Sequence, residues 1–175
     1  MEHQLYQNRR VALIRVEPYL AAYARRKFES DPKTGGIRIP DSFDLYHCVW
    51  QLMERRPRDY RPTGNENLCI WLPARRGTEG TGQKNPAFWN YISPRHARLV
   101  EKQLRRLFNW EFHHHCEQQL EQGCTKVEAV RQFVSRYHLG LDCEDALLKN
   151  LQRHERTMKV FLGITKAKNH KKRKI

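Results

Sequence analysis

The sequence predicts an α+β protein dominated by helices, in which a small three-stranded sheet with two helices precedes a C-terminal three-helix unit resembling a helix-turn-helix. Three observations carry this. Three short apolar runs of strand type alternate with helical periodicity before residue 93. Residues 94 to 121 keep helical apolar spacing, and residues 125 to 159 contain two helix starts with a stop between them. The expected organisation is an α+β part over 1–92, a helical part over 93–160 and a tail over 161–175. The tail is expected to be disordered, because TKAKNHKKRKI after Ile164 is basic and has no apolar period.

Val11 to Val16 is apolar apart from Arg15, as in a strand buried on at least one face. Glu17-Pro18 opens a helix, since proline is preformed for the first helical position, and Leu20, Ala21, Ala24 and Phe28 give its inner stripe. The turn Asp31-Pro32-Lys33-Thr34-Gly35-Gly36 leads to a short strand at Ile37-Arg38-Ile39. Asp41 is the expected cap of a second helix, with Tyr46, Val49, Trp50 and Met53 at helical spacing until Arg55-Arg56-Pro57. Leu68 to Leu72 is the third strand. After a basic, glycine-rich loop at 74 to 86, Ser93-Pro94 opens the longest helix, with Val100, Leu104, Leu107, Phe108 and Phe112 on its buried side.

The last two helices are marked most clearly. Thr125 and Glu128 have the spacing of a capping box, in which each side chain satisfies a backbone N–H left over at a helix start. Val127, Val130, Val134 and Tyr137, with Phe133 beside them, form the apolar stripe that follows. His138-Leu139-Gly140 ends that helix, with Gly140 as the residue suited to a left-handed cap. Asp142 is the expected N-cap of the next. On it Leu147, Leu151 and Met158 fall on one side, and Lys149, Arg153 and Arg156 on the other. The cations therefore face outward, either as the reading face of a DNA-binding helix or as an ordinary solvated surface. Asp142, Glu144 and Asp145 suit the helix dipole but repel phosphate, which shifts any DNA contact toward the middle and C-terminal half.

The charge favours a polyanionic partner. The chain has 175 residues and a formal net charge of +14, and both halves are basic: 18 Lys and Arg against 9 Asp and Glu over 93–175, and 15 against 10 before. Such a field draws in nucleic acid. No apolar stretch approaches the ~20 residues that span a bilayer. The start MEHQLYQNRR lacks a signal-type apolar run, so a cytoplasmic protein with no membrane partner is expected. Five scattered cysteines, Cys48, Cys69, Cys116, Cys124 and Cys143, read as reduced thiols.

Other motifs are weaker. Gly77 and Gly82 have phosphate-loop spacing, but Gln83 stands where that motif needs lysine, and Lys84 comes one residue late. Phosphate contact by Arg75, Arg76 and Lys84 from a flexible loop is the better reading of that segment. His113 and Cys116 share a helical face and suggest a metal centre with Cys124 or His138, yet the spacing fits no zinc module, and no metal or cofactor is expected. No nucleophile or paired-carboxylate signature points to catalysis. Trp50, Trp71, Trp89 and Trp110 are candidates for stacking on unpaired bases. Trp50 and Trp71 read as core, and Trp89 with Tyr91 as the more exposed pair.

The order NLCIWLPARR, a Gly/Lys loop, NYIS before a long helix, then EDALLKN followed by alternating arginines resembles a group of small basic proteins encoded on prophages and conjugative elements of gut Bacteroidetes. The likeness covers most of the chain. It implies a mobile-element setting and a DNA-binding role. Where the group has aromatic residues after LLKN, this chain has Leu151-Gln152-Arg153-His154.

The functional expectation is a non-enzymatic protein that binds nucleic acid, duplex DNA first, and regulates transcription, replication or transfer. Its contacts would come from Lys149, Gln152, Arg153, Arg156 and Lys159, from Arg75, Arg76 and Lys84, and from Lys171, Lys172, Arg173 and Lys174. The alternatives are a metal-dependent nucleic-acid enzyme using the His113–Cys116 region, and a helical protein–protein adaptor.

Overall fold

The computed structural model describes residues 10–74, 84–140 and 142–163. Among them the elements are β1 Val11–Ile14, α1 Pro18–Lys27, β2 Glu29–Ser30, β3 Ile37–Arg38, α2 Asp44–Leu52, β4 Leu68–Trp71, α3 Pro94–Glu121, α4 Lys126–Tyr137 and α5 Cys143–Phe161. Helices dominate a mixed α and β chain, as the periodicity requires. Pro18 and Pro94 do open their helices, and Thr125 with Glu128 does form the reciprocal capping box.

The sheet has four strands, not three, in the order β1-β4-β3-β2. β1 and β4 are antiparallel, with Val11 opposite Trp71 and Ile14 opposite Leu68, while β3 joins β4 in parallel through Ile37 and Ile70. The strand missing from the sequence pattern is β2, whose two residues are too few to show alternation. It pairs with β3 because the turn between them is held by one carboxylate. Asp31 Oδ1 accepts the backbone N–H groups of Lys33 and Thr34 at 3.1 and 3.0 Å and the Thr34 hydroxyl at 3.1 Å, and Oδ2 accepts Arg38 at 2.6 Å. Burial works to raise the Asp31 pKa, but these donors outweigh it and hold the carboxyl below its usual range. Gly35, at φ 66°, supplies the left-handed residue the turn needs.

Several boundaries differ from the expected ones for local reasons. α2 starts at Asp44, three residues after the proposed cap Asp41, and stops at Leu52 because Met53 is extended. The left-handed residue after α4 is His138, at φ 51° and ψ 41°, and not Gly140. Histidine tolerates that region better than most side chains, and turning there sends Leu139 straight into the core. Asp142 has helical backbone angles and makes no side-chain cap. Val127 is exposed, and Ala129 joins Val130, Phe133, Val134 and Tyr137 on the inner stripe.

α3 is the spine. Its 28 residues, roughly 42 Å at the helical rise, bury Ala97, Val100, Leu104, Phe108, Phe112 and Cys116. One continuous apolar cluster runs from Ala12 and Ile14 of the sheet to Leu147 and Leu151 of α5. Tyr19 and Tyr23 of α1 pack edge-on against Phe108, each at 5.1 Å, and Phe133 of α4 meets Phe108 and Phe112 at 5.5 and 5.2 Å. Beside these rings lies Glu111, its side chain only 14% exposed, taking the Tyr23 hydroxyl at 2.5 Å, the Tyr137 hydroxyl and the Lys27 ammonium at 2.9 Å. Burial works to raise its pKa, but the three donors outweigh it and hold the carboxyl below its usual range.

α4 and α5 do not cross as the two helices of a helix-turn-helix do, at 90–120°. Lys126, the first residue of α4, pairs with Glu155 at 2.6 Å, and Arg131 pairs with Glu144 at 3.3 Å. Lys126 and Glu155 lie roughly 16 and 18 Å from the turn along their helices, so a right-angle crossing would put them roughly 24 Å apart, beyond the joint reach of the two side chains. The helices therefore form an antiparallel hairpin. Glu155 is level with the start of α4, and α5 runs on past it. Met158, expected to be core, is consequently 40% exposed, with Phe161 and Leu162 more so.

The Glu111 cluster gives a direct test of stability. Glu111→Ala is expected to lower unfolding free energy by about 2–4 kcal/mol and Tyr137→Phe by about 1–2 kcal/mol, read from urea midpoints, because buried donors lose a charged acceptor. A Glu111→Ala change of under about 0.5 kcal/mol would show that the cluster contributes nothing net.

Candidate nucleic-acid interface

α5 places Lys149, Arg153 and Arg156 at i, i+4 and i+7, and all three are exposed together with Gln152 and Lys159. Two of the three acids of α5 are engaged elsewhere, Glu144 with Arg131 and Glu155 with Lys126, while the third, Asp145, is exposed one turn before Lys149. Among the described residues Lys149, Arg153, Arg156 and Lys159 make no salt bridge.

α5 also lies along the C-terminal half of α3, pointing the same way. Asn150 Oδ1 accepts from His113 Nε2 at 2.7 Å and Asn150 Nδ2 donates to Asn109 Oδ1 at 3.2 Å, and one turn further His154 stacks on His113 at 3.7 Å and reaches Glu117 at 3.4 Å. Asn109, His113 and Glu117 share one face of α3. Arg95, Arg98, Lys102 and Arg106 continue that face toward the N-terminus at spacings of three and four, and there they are exposed. The two helices thus set eight cations along one side: Arg95, Arg98, Lys102 and Arg106, then Lys149, Arg153, Arg156 and Lys159. The row is roughly 35 Å long at the helical rise, about one turn of duplex DNA. Asp142 and Asp145 interrupt it where α5 begins. The α3 half was visible in the sequence as cations at positions 95, 98, 102 and 106. Its meaning depends on α5 packing onto the same face, which spacing alone does not reveal.

Lys84 has a different role from the expected phosphate contact. Its ammonium donates to the carbonyls of Trp50, Gln51 and Met53 at 3.1, 2.5 and 3.1 Å, closing the C-terminus of α2. The rings of Trp50 and Trp89 flank it at 5.3 and 5.2 Å, and burial lowers its pKa. All three of its protons are used. Arg75 and Arg76, like Lys171, Lys172, Arg173 and Lys174, lie outside the described residues.

The histidine run does not converge on a metal. His113 turns to Asn150 and His154, His115 to the Ala129 carbonyl at 3.2 Å, and His114 to Gln118, while Cys116 is fully buried with its thiol pushed up to about 12. No group of three or more His, Cys, Asp or Glu side chains among the described residues is placed to hold an ion. A cleft of about 680 Å³ between β1, residues 60–66 and the start of α3 carries carboxylates that are already engaged. Glu17 and Glu101 flank Arg105 at 2.9 and 2.5 Å, and Glu66 accepts from Thr63. Among the tryptophans the exposed one is Trp110, at 65%, whereas Trp89 and Tyr91 are half-buried under Lys84, Arg55 and Tyr60. No described helix is long and apolar enough to cross a membrane. No protein-family model, curated protein or solved structure matches the chain.

Burial lowers the pKa of His113 and of His115 below the ordinary 6.5, with His154 adding to the effect at His113. A histidine kept neutral by the fold stabilises it fully above the unfolded value, and that share is lost as pH falls through the depressed folded value. Melting temperature is therefore expected to decline as pH drops from 7 to 5, with a smaller decline in His113→Gln; a profile flat over this range would contradict it. Lys84→Met is expected to cost about 1–2 kcal/mol of stability, read from urea midpoints, because three carbonyls at the end of α2 lose their donor; a change under about 0.3 kcal/mol would contradict the capping role.

Proposed function

We propose that the protein is a non-enzymatic DNA-binding protein whose α3–α5 side lies along the phosphate backbone. The observation that carries this reading is the pair of exposed cation runs, four on α3 and four on α5, none in a salt bridge, on a chain of net charge +14. Phosphate contacts of this kind position a protein on DNA without reading its sequence. Gln152 and Arg153, midway along α5 and beyond its acidic start, are the side chains suited to base edges. The antiparallel hairpin disfavours deep insertion of the α5 N-terminus, since Asp142, Glu144 and Asp145 crowd it. Control of transcription, replication or transfer on a mobile element is the setting the sequence resemblance implies.

A protein–protein adaptor is the second reading, favoured by the bare apolar end of α5 at Met158, Phe161 and Leu162.

Neutralising some six phosphates makes affinity for a duplex fall about a thousandfold between 50 and 200 mM salt. Anisotropy titrations are expected to show that slope, and Lys149→Ala, Arg153→Ala, Arg156→Ala together should flatten it while leaving the melting temperature nearly unchanged. Adding Lys102→Ala and Arg106→Ala should flatten it further. Negligible binding at 50 mM salt would instead favour the adaptor.

A further inference from the structure

We propose that Trp110 is a stacking platform for an unpaired nucleobase, so that the basic side engages a strand with at least one base outside a duplex stack. This rests on the DNA-binding reading and adds the form of nucleic acid. Trp110 is 65% exposed, while Trp50, Trp71 and Trp89 are half-buried. Its indole lies parallel to the His114 imidazole, with centroids 5.6 Å apart and planes at 12°, and Gln118 holds that imidazole at 3.0 Å. His114, one turn toward the C-terminus, therefore covers one face of the indole.

Trp110 also lines a groove of about 410 Å³ between α3 and the start of α2, together with Ser42, Phe43, Asp44, Gln103 and Arg106. Arg106 and Lys102 stand one and two turns before Trp110, at the edge of the cation row. A strand held by those cations is within reach of the groove, where the Asp44 carboxylate on the α2 side, opposite Arg106, disfavours phosphate. The flat, apolar, uncharged part of a nucleotide is what remains to enter. Bases in an intact duplex are stacked on one another and have no free face to offer, so the platform selects unpaired ones. His114 backing keeps the indole in place before binding, which limits the ordering cost.

The experiment compares a 12-nucleotide single-stranded DNA with a hairpin duplex of the same composition, by anisotropy and by intrinsic tryptophan emission. The single strand is expected to quench emission, and Trp110→Ala to weaken it about tenfold while changing hairpin affinity less than about twofold. Trp110→Phe should keep most of the single-strand affinity and lose most of the quenching. Melting curves check that these surface variants stay folded. An RNA strand of the same sequence identifies the source of the base, the tighter of the two strands being the better ligand, and either upholds the platform. Equal single-strand affinity for parent and Trp110→Ala overturns it, even with hairpin binding intact. Failure of the parent to bind either DNA at 50 mM salt removes the DNA reading and the platform together.

Discussion

Glu111 sets where everything else sits on α3. Apolar packing has no direction, and a stripe of rings such as Phe108, Phe112 and Phe133 permits α4 to shift along α3 without losing much buried area. A carboxylate inside the protein does not permit this, because an underpaired charge there costs several kcal/mol. Its two phenols come from different elements, Tyr23 on α1 and Tyr137 at the end of α4, with Lys27 closing the set. The sheet part is therefore registered against the helical part through one side chain. Because Tyr137 is the last residue of α4, the same contact fixes where the chain turns and where α5 begins.

α5 follows from that placement. Its inner side meets α3 through Asn150 and His154 and α4 through Glu155 and Glu144, so its cations have only the outer side left. The polar seam between α3 and α5 gives that orientation a specificity that Leu147 and Leu151 alone would not supply. On the proposed reading the binding surface belongs to two helices whose alignment is set by packing underneath, and neither helix has the surface by itself.

The parts of this arrangement legible in the sequence are those decided by neighbours in the chain. Pro18, Pro94 and the Thr125–Glu128 box act within one helical turn, and each marks its helix start correctly. The outward face of α5 was equally legible, since its opposition to Leu147 and Leu151 needs only the helical period. What escaped was decided at a distance. β2 exists because Arg38 returns to Asp31, Lys84 caps a helix more than thirty residues earlier, and His138 rather than Gly140 turns left-handed because Leu139 has a place in the core. Met158 obeys the helical period and is still exposed, because α4 starts too late in the chain to cover it. Trp110 was one tryptophan among four until burial of the other three singled it out.

The stretch of α5 beyond Glu155 bears Arg156 and Lys159 on a helix that no other described element covers. Two unsupported turns are held only by the helix behind them, and short isolated helices are marginal in water. Their backbone amides should exchange with solvent far faster than those around Leu151, which lie within the hairpin. Any anion gripped by Arg156 and Lys159 must also quiet this fraying end, so part of the attraction goes into ordering the helix. On the proposed reading the grip at this end is thus looser than at Lys149, and a bound strand would be released from here first.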